Sequence, residues 1–376
     1  MKKICLINFG KVVNSTGGAE KVLCDFANEF SERGYDITII CSENKIGKTY
    51  FNLDSRVKFV NLGINVDFNL FKRAVRKICR IFKFSYGFTL NDYDVDCALK
   101  NIAETESYDI IINFFPKDLM YVLKNFSAIP KIQMLHGSAD WLMKDIDITT
   151  VKNLNKVDVL QVLLPSYSKQ LSFKNVCVIP NVVKQEGKRA KYSKKVVYLA
   201  RYDIDKQIHL LVEAFSKCVS EFIDWELHIY GSDWTPGYRE SLEHKVRLLN
   251  LEKNCFLHGR VSNPNEVLLD ASICGFPSKY EGFPLALTEA MSVGLPCIGY
   301  KSCTGINEII IDRKNGFLVD GGIDDFADKM RLLMKDKELC MSMGENAIEL
   351  IKSFSPQFVY DEWEDLIKRI LVRENE

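Results

Sequence analysis

Residues 278–299 read SKYEGFPLALTEAMSVGLPCIG. A loop carries the carboxylate of Glu281. Gly282-Phe283-Pro284 follows, a tripeptide that cannot be ordinary helix interior. Residues 285–293 then form a helical run holding a second carboxylate, Glu289, and Gly294 can cap it in a left-handed conformation. Residues 296–299 read as the next short buried strand. Two acids therefore flank the first turn of a helix that follows a strand. Free backbone N–H groups and a partial positive charge make such a helix start suited to a phosphate. On spacing alone a blander reading stands beside this one, in which Glu281 is a solvated loop acid and Glu289 a surface helix residue.

Outward from this stretch, the same alternation recurs. Strands are expected at residues 196–200, 226–230, 255–257, 271–276, 296–300 and 316–319, with helices at 208–221, 236–249, 264–269, 285–293, 306–310 and 323–334, and a helical tail at 344–354 and 356–372. Toward the N-terminus, residues 3–8 form an apolar run, KVVNSTGG a loop, and residues 19–33 an amphipathic helix with Val22, Leu23, Phe26, Ala27 and Phe30 on one stripe. Further strands are expected at 36–41, 57–61, 109–114, 131–135, 157–164 and 176–179. Alternating strands and helices predict an α/β class with doubly wound sheets. Residues 183–195, VKQEGKRAKYSKK, are polar and basic without an apolar period and read as a linker. A chain of 376 residues has room for two domains, each with its own core.

Lysine plus arginine and aspartate plus glutamate both number 50, which argues against a dedicated nucleic-acid binder. Twelve cysteines stand singly, with no C-x-x-C pair, and read as small buried hydrophobes of a reducing compartment. The histidines lack metal-ligand spacing. The opening apolar run is too short for a signal sequence and no stretch is long enough to span a bilayer, so a cytoplasmic protein is expected.

Residues 69–90 contain no acid. Leu70, Phe71, Ala74, Val75, Ile78 and Phe82 share one helical stripe, and Lys72, Arg73, Arg76, Lys77, Arg80 and Lys83 cover much of the rest. Such a helix either seeks an anionic membrane surface or packs its stripe on its own domain.

Three further places carry chemistry. Gly17-Gly18 precedes a helix after a strand; it is not the G-x-G-x-x-G fingerprint, but it permits close backbone approach to an anion, or simply a tight turn. Arg201 and Lys206 follow a strand end, where two cations could hold a pyrophosphate or merely pair with Asp203 and Asp205. His136 also ends a strand, where its ring could bond a sugar hydroxyl or be a satisfied structural histidine. Glycine, histidine, arginine, lysine and glutamate at the strand ends of two sheets suit an anionic, hydroxyl-rich ligand such as a nucleotide sugar, gathered in a cleft between domains.

These residues carry a resemblance. Glu281 and Glu289, with seven residues between them and Gly-Phe-Pro after the first, look like the E-x7-E motif of retaining GT-B glycosyltransferases of family four, those of bacterial surface-polysaccharide type. GGAEKVL at Gly17, HG at His136, IPNVV at Ile179, ARYDIDKQ at Ala200 and NEIIIDRKNGFLV at Asn307 extend it over nearly the whole chain in order. The resemblance implies a GT-B architecture: an acceptor-side Rossmann-like domain over 1–185, a nucleotide-sugar domain over 186–355, and a helix over 356–376 packing back on the first. It implies a metal-independent hexosyl- or N-acetylhexosaminyl-transferase, with a nucleoside-diphosphate sugar (UDP-linked) as donor and a glycan or polyprenyl-linked acceptor on the inner membrane face, and no cofactor.

Carried over by residue, it implies that Glu281 contacts the donor sugar, with catalytic partners His136, Arg201 and Lys206, the two cations neutralising the leaving diphosphate. The backbone of Gly282, Phe283, Pro284 and Leu285 meets sugar and phosphate, although proline has no N–H to give. Glu289 accepts from the ribose, Gly17 and Gly18 let the first domain approach the diphosphate, and the backbone at Arg260 and Val261 holds the base. Two departures concern detail. Ala200 stands where the family has glycine before its arginine, and the glycine-x-glycine after the strand at 226–230 is reduced to Gly231-Ser232-Asp233, with Trp234 next. A nucleotide-sugar epimerase of the same architecture and a non-catalytic sugar-nucleotide binder are the competing functions.

Overall fold

The computed structural model describes residues 1–64, 90–139, 147–171, 173–185 and 187–373. The basic segment with Phe71, Lys72, Arg73, Arg76, Lys77, Arg80, Phe82 and Lys83 lies outside the described residues. The chain divides into two units, Met1–Pro180 with Tyr360–Glu376, and Asn181–Val359.

The first unit is built on seven strands: β1 (Lys3–Ile7), β2 (Asp36–Cys41), β3 (Lys58–Asn61), β4 (Ile110–Asn113), β5 (Lys131–Met134), β6 (Val159–Val162) and β7 (Val176–Val178). All pair in parallel, in the order β3-β2-β1-β4-β5-β6-β7. β4 and β5 are buried along their whole length, which is why they read as continuous runs rather than alternating ones. The winding reverses between β1 and β4, where Ile7 pairs with Asn113. Ligands of such sheets bind outside the carboxyl ends of the strands at this reversal.

The helix Gly18–Glu32 buries Phe26 and Phe30. Trp363 of the C-terminal helix Pro356–Arg373 meets Phe26 edge-on at 5.3 Å, and Arg33 bonds Asp361 at 2.7 Å and Glu364 at 2.9 Å. From Tyr360 onward that helix therefore shares the core of the first unit. Among the described residues, no helix is long and apolar enough to cross a membrane.

The second unit holds β8 (Lys195–Leu199), β9 (Glu226–Tyr230), β10 (Cys255–His258), β11 (Ile273–Phe276), β12 (Cys297–Tyr300) and β13 (Gly316–Val319), parallel throughout in the order β10-β9-β8-β11-β12-β13. Its reversal lies between β8 and β11, where Val196 pairs with Ile273. The helix Leu285–Ser292 leads from β11 to β12.

Two expectations need correction. Residues 183–195 are no loose tether. Val183 N donates to Phe354 O at 2.8 Å, Ala190 N to Val293 O at 2.8 Å and Lys191 N to Leu269 O at 3.0 Å, so backbone hydrogen bonds lay the stretch onto the second unit, and polarity alone could not reveal this. The helix expected to begin at Gly344 begins at Lys337, capped by the Asp336 carboxylate accepting from Leu339 N at 2.9 Å. Gly344 lies mid-helix because a Cβ there would stand 2.0 Å from Gly294 O; it marks a close approach, not a start.

Candidate functional site

The second unit gathers the donor-side candidates around its reversal point. Arg201 and Lys206 follow β8, and Glu281 follows β11, the neighbouring strand. Three bonds hold the two loops together. Lys279 N donates to Asp205 O at 2.9 Å, the Tyr198 hydroxyl meets the Ser278 hydroxyl at 2.7 Å, and Lys206 Nζ meets Glu281 Oε1 at 2.6 Å. The Lys206 and Glu281 side chains are only 18% and 11% exposed. Of the carboxylates in reach, the Lys206 ammonium meets not Asp203 or Asp205 on its own loop but Glu281, 75 residues away. A charge pair so little exposed persists because each group satisfies the other, and it keeps a cation and an anion fixed at one point without solvent between them.

Arg201 is more open. Its guanidinium lies 3.9 Å from the centre of the Trp234 ring, and its Nη2 stands 3.6 Å from Asp203 Oδ2. Glu289 is half-buried on the helix Leu285–Ser292, Arg260 is exposed and Val261 half-buried after β10. The Leu285 amide donates to Phe283 O at 2.9 Å, so it is engaged within the turn. Phe283 is buried edge-on against Phe354 at 5.4 Å, which anchors the Gly282-Phe283-Pro284 turn.

A third loop backs the Glu281 turn. Gly305 has φ +98°, and a Cβ there would lie 3.3 Å from Gly282 O and 3.5 Å from Glu281 Cβ. Gly305→Ala is expected to destabilise the protein by about 1–3 kcal/mol through the left-handed backbone alone, and to lower turnover further by displacing Glu281. Denaturant midpoints and turnover measured together check this; wild-type values for both would remove Gly305 from the support of the site.

The first unit presents a polar cluster at the ends of β1, β4 and β5. Asn113 Nδ2 donates to Phe115 O at 2.7 Å and to Gln133 Oε1 at 2.6 Å, and Asn8 Oδ1 accepts from Gly10 N at 2.9 Å. Asn8, Asn113 and Gln133 are fully buried. Yet Asn8 Nδ2, Asn113 Oδ1 and both ring nitrogens of His136 are buried without a hydrogen-bond partner among the described residues. His136 stacks on Phe114 at 5.1 Å, and burial pushes its pKa down to about 4, so the ring is neutral near pH 7. Each buried polar atom left without a partner costs roughly 1–3 kcal/mol. Asp118 is buried beside it, accepts from Phe9 N at 2.8 Å, and is raised by burial to about 7. Asn8, Asn113 and Asp118 were missed from sequence; the available signal was an asparagine closing an otherwise apolar run, in CLIN and IIIN.

At Gly17 and Gly18 the helix Gly18–Glu32 begins, and the Glu20 carboxylate folds back over Gly17. Burial raises the Glu20 carboxyl, with Ser15 as a hydrogen-bonding partner that lowers it. An acid already occupies this helix start.

Both units match known family models: residues 16–186 match Glycosyltransferase Family 4 and residues 181–350 match Glycosyl transferases group 1. An uncharacterized glycosyltransferase of Haemophilus influenzae is 22% identical over 98% of this chain and 100% of its own length. The poly(ribitol-phosphate) alpha-N-acetylglucosaminyltransferase of Staphylococcus aureus is 29% identical over 57% of this chain and 45% of its own. Among solved structures, a mutant of S. aureus TarM in complex with fondaparinux, alpha-GlcNAc-glycerol and UDP superimposes with TM-score 0.76 at 18% identity, covering 98% of this chain and 100% of that one.

Proposed function

The chain belongs to the family 4, group 1 glycosyltransferases, and from that premise we propose that it transfers a sugar, with retention, from a UDP-sugar to a glycan or lipid-linked acceptor in the synthesis of a bacterial surface polysaccharide. The observation that carries this reading is the Lys206–Glu281 pair at 2.6 Å, where β8 and β11 end, with Arg201 on the same loop after β8. A site that keeps fixed cations next to a fixed carboxylate suits a reaction in which negative charge grows on a diphosphate while positive charge grows on the sugar carbon attached to it. The UDP in the TarM complex and the N-acetylglucosaminyl transfer named for the S. aureus relative support the donor class and the polymer acceptor.

In this reading the bond from the anomeric carbon to the diphosphate oxygen breaks and a bond to the acceptor oxygen forms. The acceptor proton passes to a phosphate oxygen, and the nucleoside diphosphate leaves. Arg201 and Lys206 stabilise the departing charge, with no metal. Glu281 meets the sugar on the face where it becomes cationic, Glu289 accepts from the ribose, and the backbone at Arg260 and Val261 meets the base. The neutral His136 ring, whose two nitrogens are buried without a partner among the described residues, bonds sugar hydroxyls.

A panel of nucleotide sugars tests it by melting temperature and by hydrolysis. A bound donor at a hundred times its dissociation constant should stabilise the protein by about 2.7 kcal/mol. The expected result is stabilisation by a UDP-sugar and slow release of UDP. Epimerised donor without transfer would replace the reading with an isomerase, and stabilisation without any turnover, with or without acceptor extracts, with a binding protein. No stabilisation by any uridine or guanosine sugar would overturn it.

A further inference from the structure

We propose that Trp234 is the positioning residue for Arg201: it presents the guanidinium to the diphosphate by holding its flat face and leaving its edge to the ligand. The proposal rests on the donor reading above and goes beyond it, since no residue so far fixes the direction of Arg201.

Trp234 is 55% exposed, so it is not a core residue that happens to lie nearby. The Arg201 carbon Cζ stands 3.9 Å from its ring centre, well inside the range of a cation–π contact. The two side chains ride on loops zipped together past the end of the sheet. Tyr202 N donates to Ser232 O at 2.9 Å, and Thr235 N to Tyr202 O at 3.0 Å. Ile204 N reaches Thr235 Oγ1 at 3.3 Å. Tyr202 itself is fully buried, its hydroxyl donating to His258 O at 2.7 Å. This ladder holds the two loops against each other, so the backbones that carry Arg201 and Trp234 keep the two side chains within reach.

The rival for Arg201 is Asp203. Its Oδ2 lies 3.6 Å from Nη2, beyond hydrogen-bond length, while its Oδ1 accepts from Asp205 N at 3.2 Å. Asp203 therefore attracts the guanidinium without gripping it. A carboxylate that did grip it would use two of the N–H donors that a phosphate needs. A ring face uses none, because all five donors lie in the guanidinium plane and point outward from its edge. Stacking thus removes the rotational freedom of a long side chain while keeping its capacity for a two-pronged phosphate contact.

The test measures UDP affinity by calorimetry for the full chain and for W234A, W234F, W234L, R201A and R201A/W234A, with melting curves as a folding control. W234A is expected to weaken UDP binding roughly 3- to 30-fold, the span of one cation–π contact. W234F, which keeps an aromatic face, should recover most of that loss, whereas W234L, apolar but without a π-face, should not. In the R201A background the tryptophan change should have no further effect, because its action runs through the arginine. Equal behaviour of W234F and W234L, full affinity of W234A, or an undiminished loss in the R201A background would each overturn the positioning role while leaving the donor reading intact. A wild-type chain that does not bind UDP would overturn the donor reading and this proposal with it.

Discussion

Replacing Glu281 by alanine is expected to lower turnover by about two to three orders of magnitude, the range for loss of one preorganised charged group at a reacting centre. Glu289→Ala should behave differently. If, as proposed, its carboxylate accepts hydrogen bonds from the ribose, donor KM should rise about 10- to 100-fold, the worth of one or two charged hydrogen bonds, with a smaller fall in kcat. The two residues lie on consecutive parts of one turn-and-helix segment, so a general loss of structure would affect both alike. Steady-state kinetics against donor concentration separate the cases. Glu281→Gln serves as a control for the alanine change, because it keeps shape and hydrogen bonding while losing charge. Equal and mild effects at both positions would return them to the role of surface acids.

Lys206→Ala is expected to be the most destabilising of the site substitutions. It leaves the Glu281 carboxylate, 11% exposed, without the cation it meets at 2.6 Å. Removing one partner of a buried pair costs about 3–5 kcal/mol, and the residual exposure of this pair places it near the lower end. The double variant Lys206→Ala/Glu281→Ala should be more stable than Lys206→Ala alone, because it also removes the little-exposed carboxylate that has lost this cation. Chemical denaturation of the four proteins closes the cycle. Additive losses would show that the pair contributes no coupling and that Glu281 is held by other contacts. Activity should not return in the double variant, so stability and turnover part company there, as they do where a pair serves chemistry rather than the fold.

Much of the fold was legible because burial on both faces writes a parallel strand as a continuous apolar run: KICLI and IIIN predict β1 and β4 with ends shifted by a residue. The helices Leu119–Asn125, Ile148–Leu154 and Pro165–Gln170 went unread, since six or seven residues complete fewer than two turns and show no period. The helix Leu90–Thr105 went unread for another reason: in LNDYDVDCALKNIAET the fully buried Val95 and Leu99 are too few to stand out among the acids.

What the sequence by itself determined is where chemistry can lie. Short-range patterning places His136 past a strand end of the first sheet and Arg201, Lys206 and Glu281 past strand ends of the second, and a parallel sheet puts all of its own strand ends on one edge. The tertiary structure alone decided which of them meet. Strand order is set by how helices cover the sheet, a long-range property, and only that order makes β8 and β11 neighbours. From it follows the partner of Glu281 in SKYEGFPLALTEAMSVGLPCIG, a lysine 75 residues earlier, and not a neighbouring charge. The stack of Arg201 on Trp234 follows likewise from the adjacency of β8 and β9, because distance in space, and not along the chain, governs electrostatic and ring contacts.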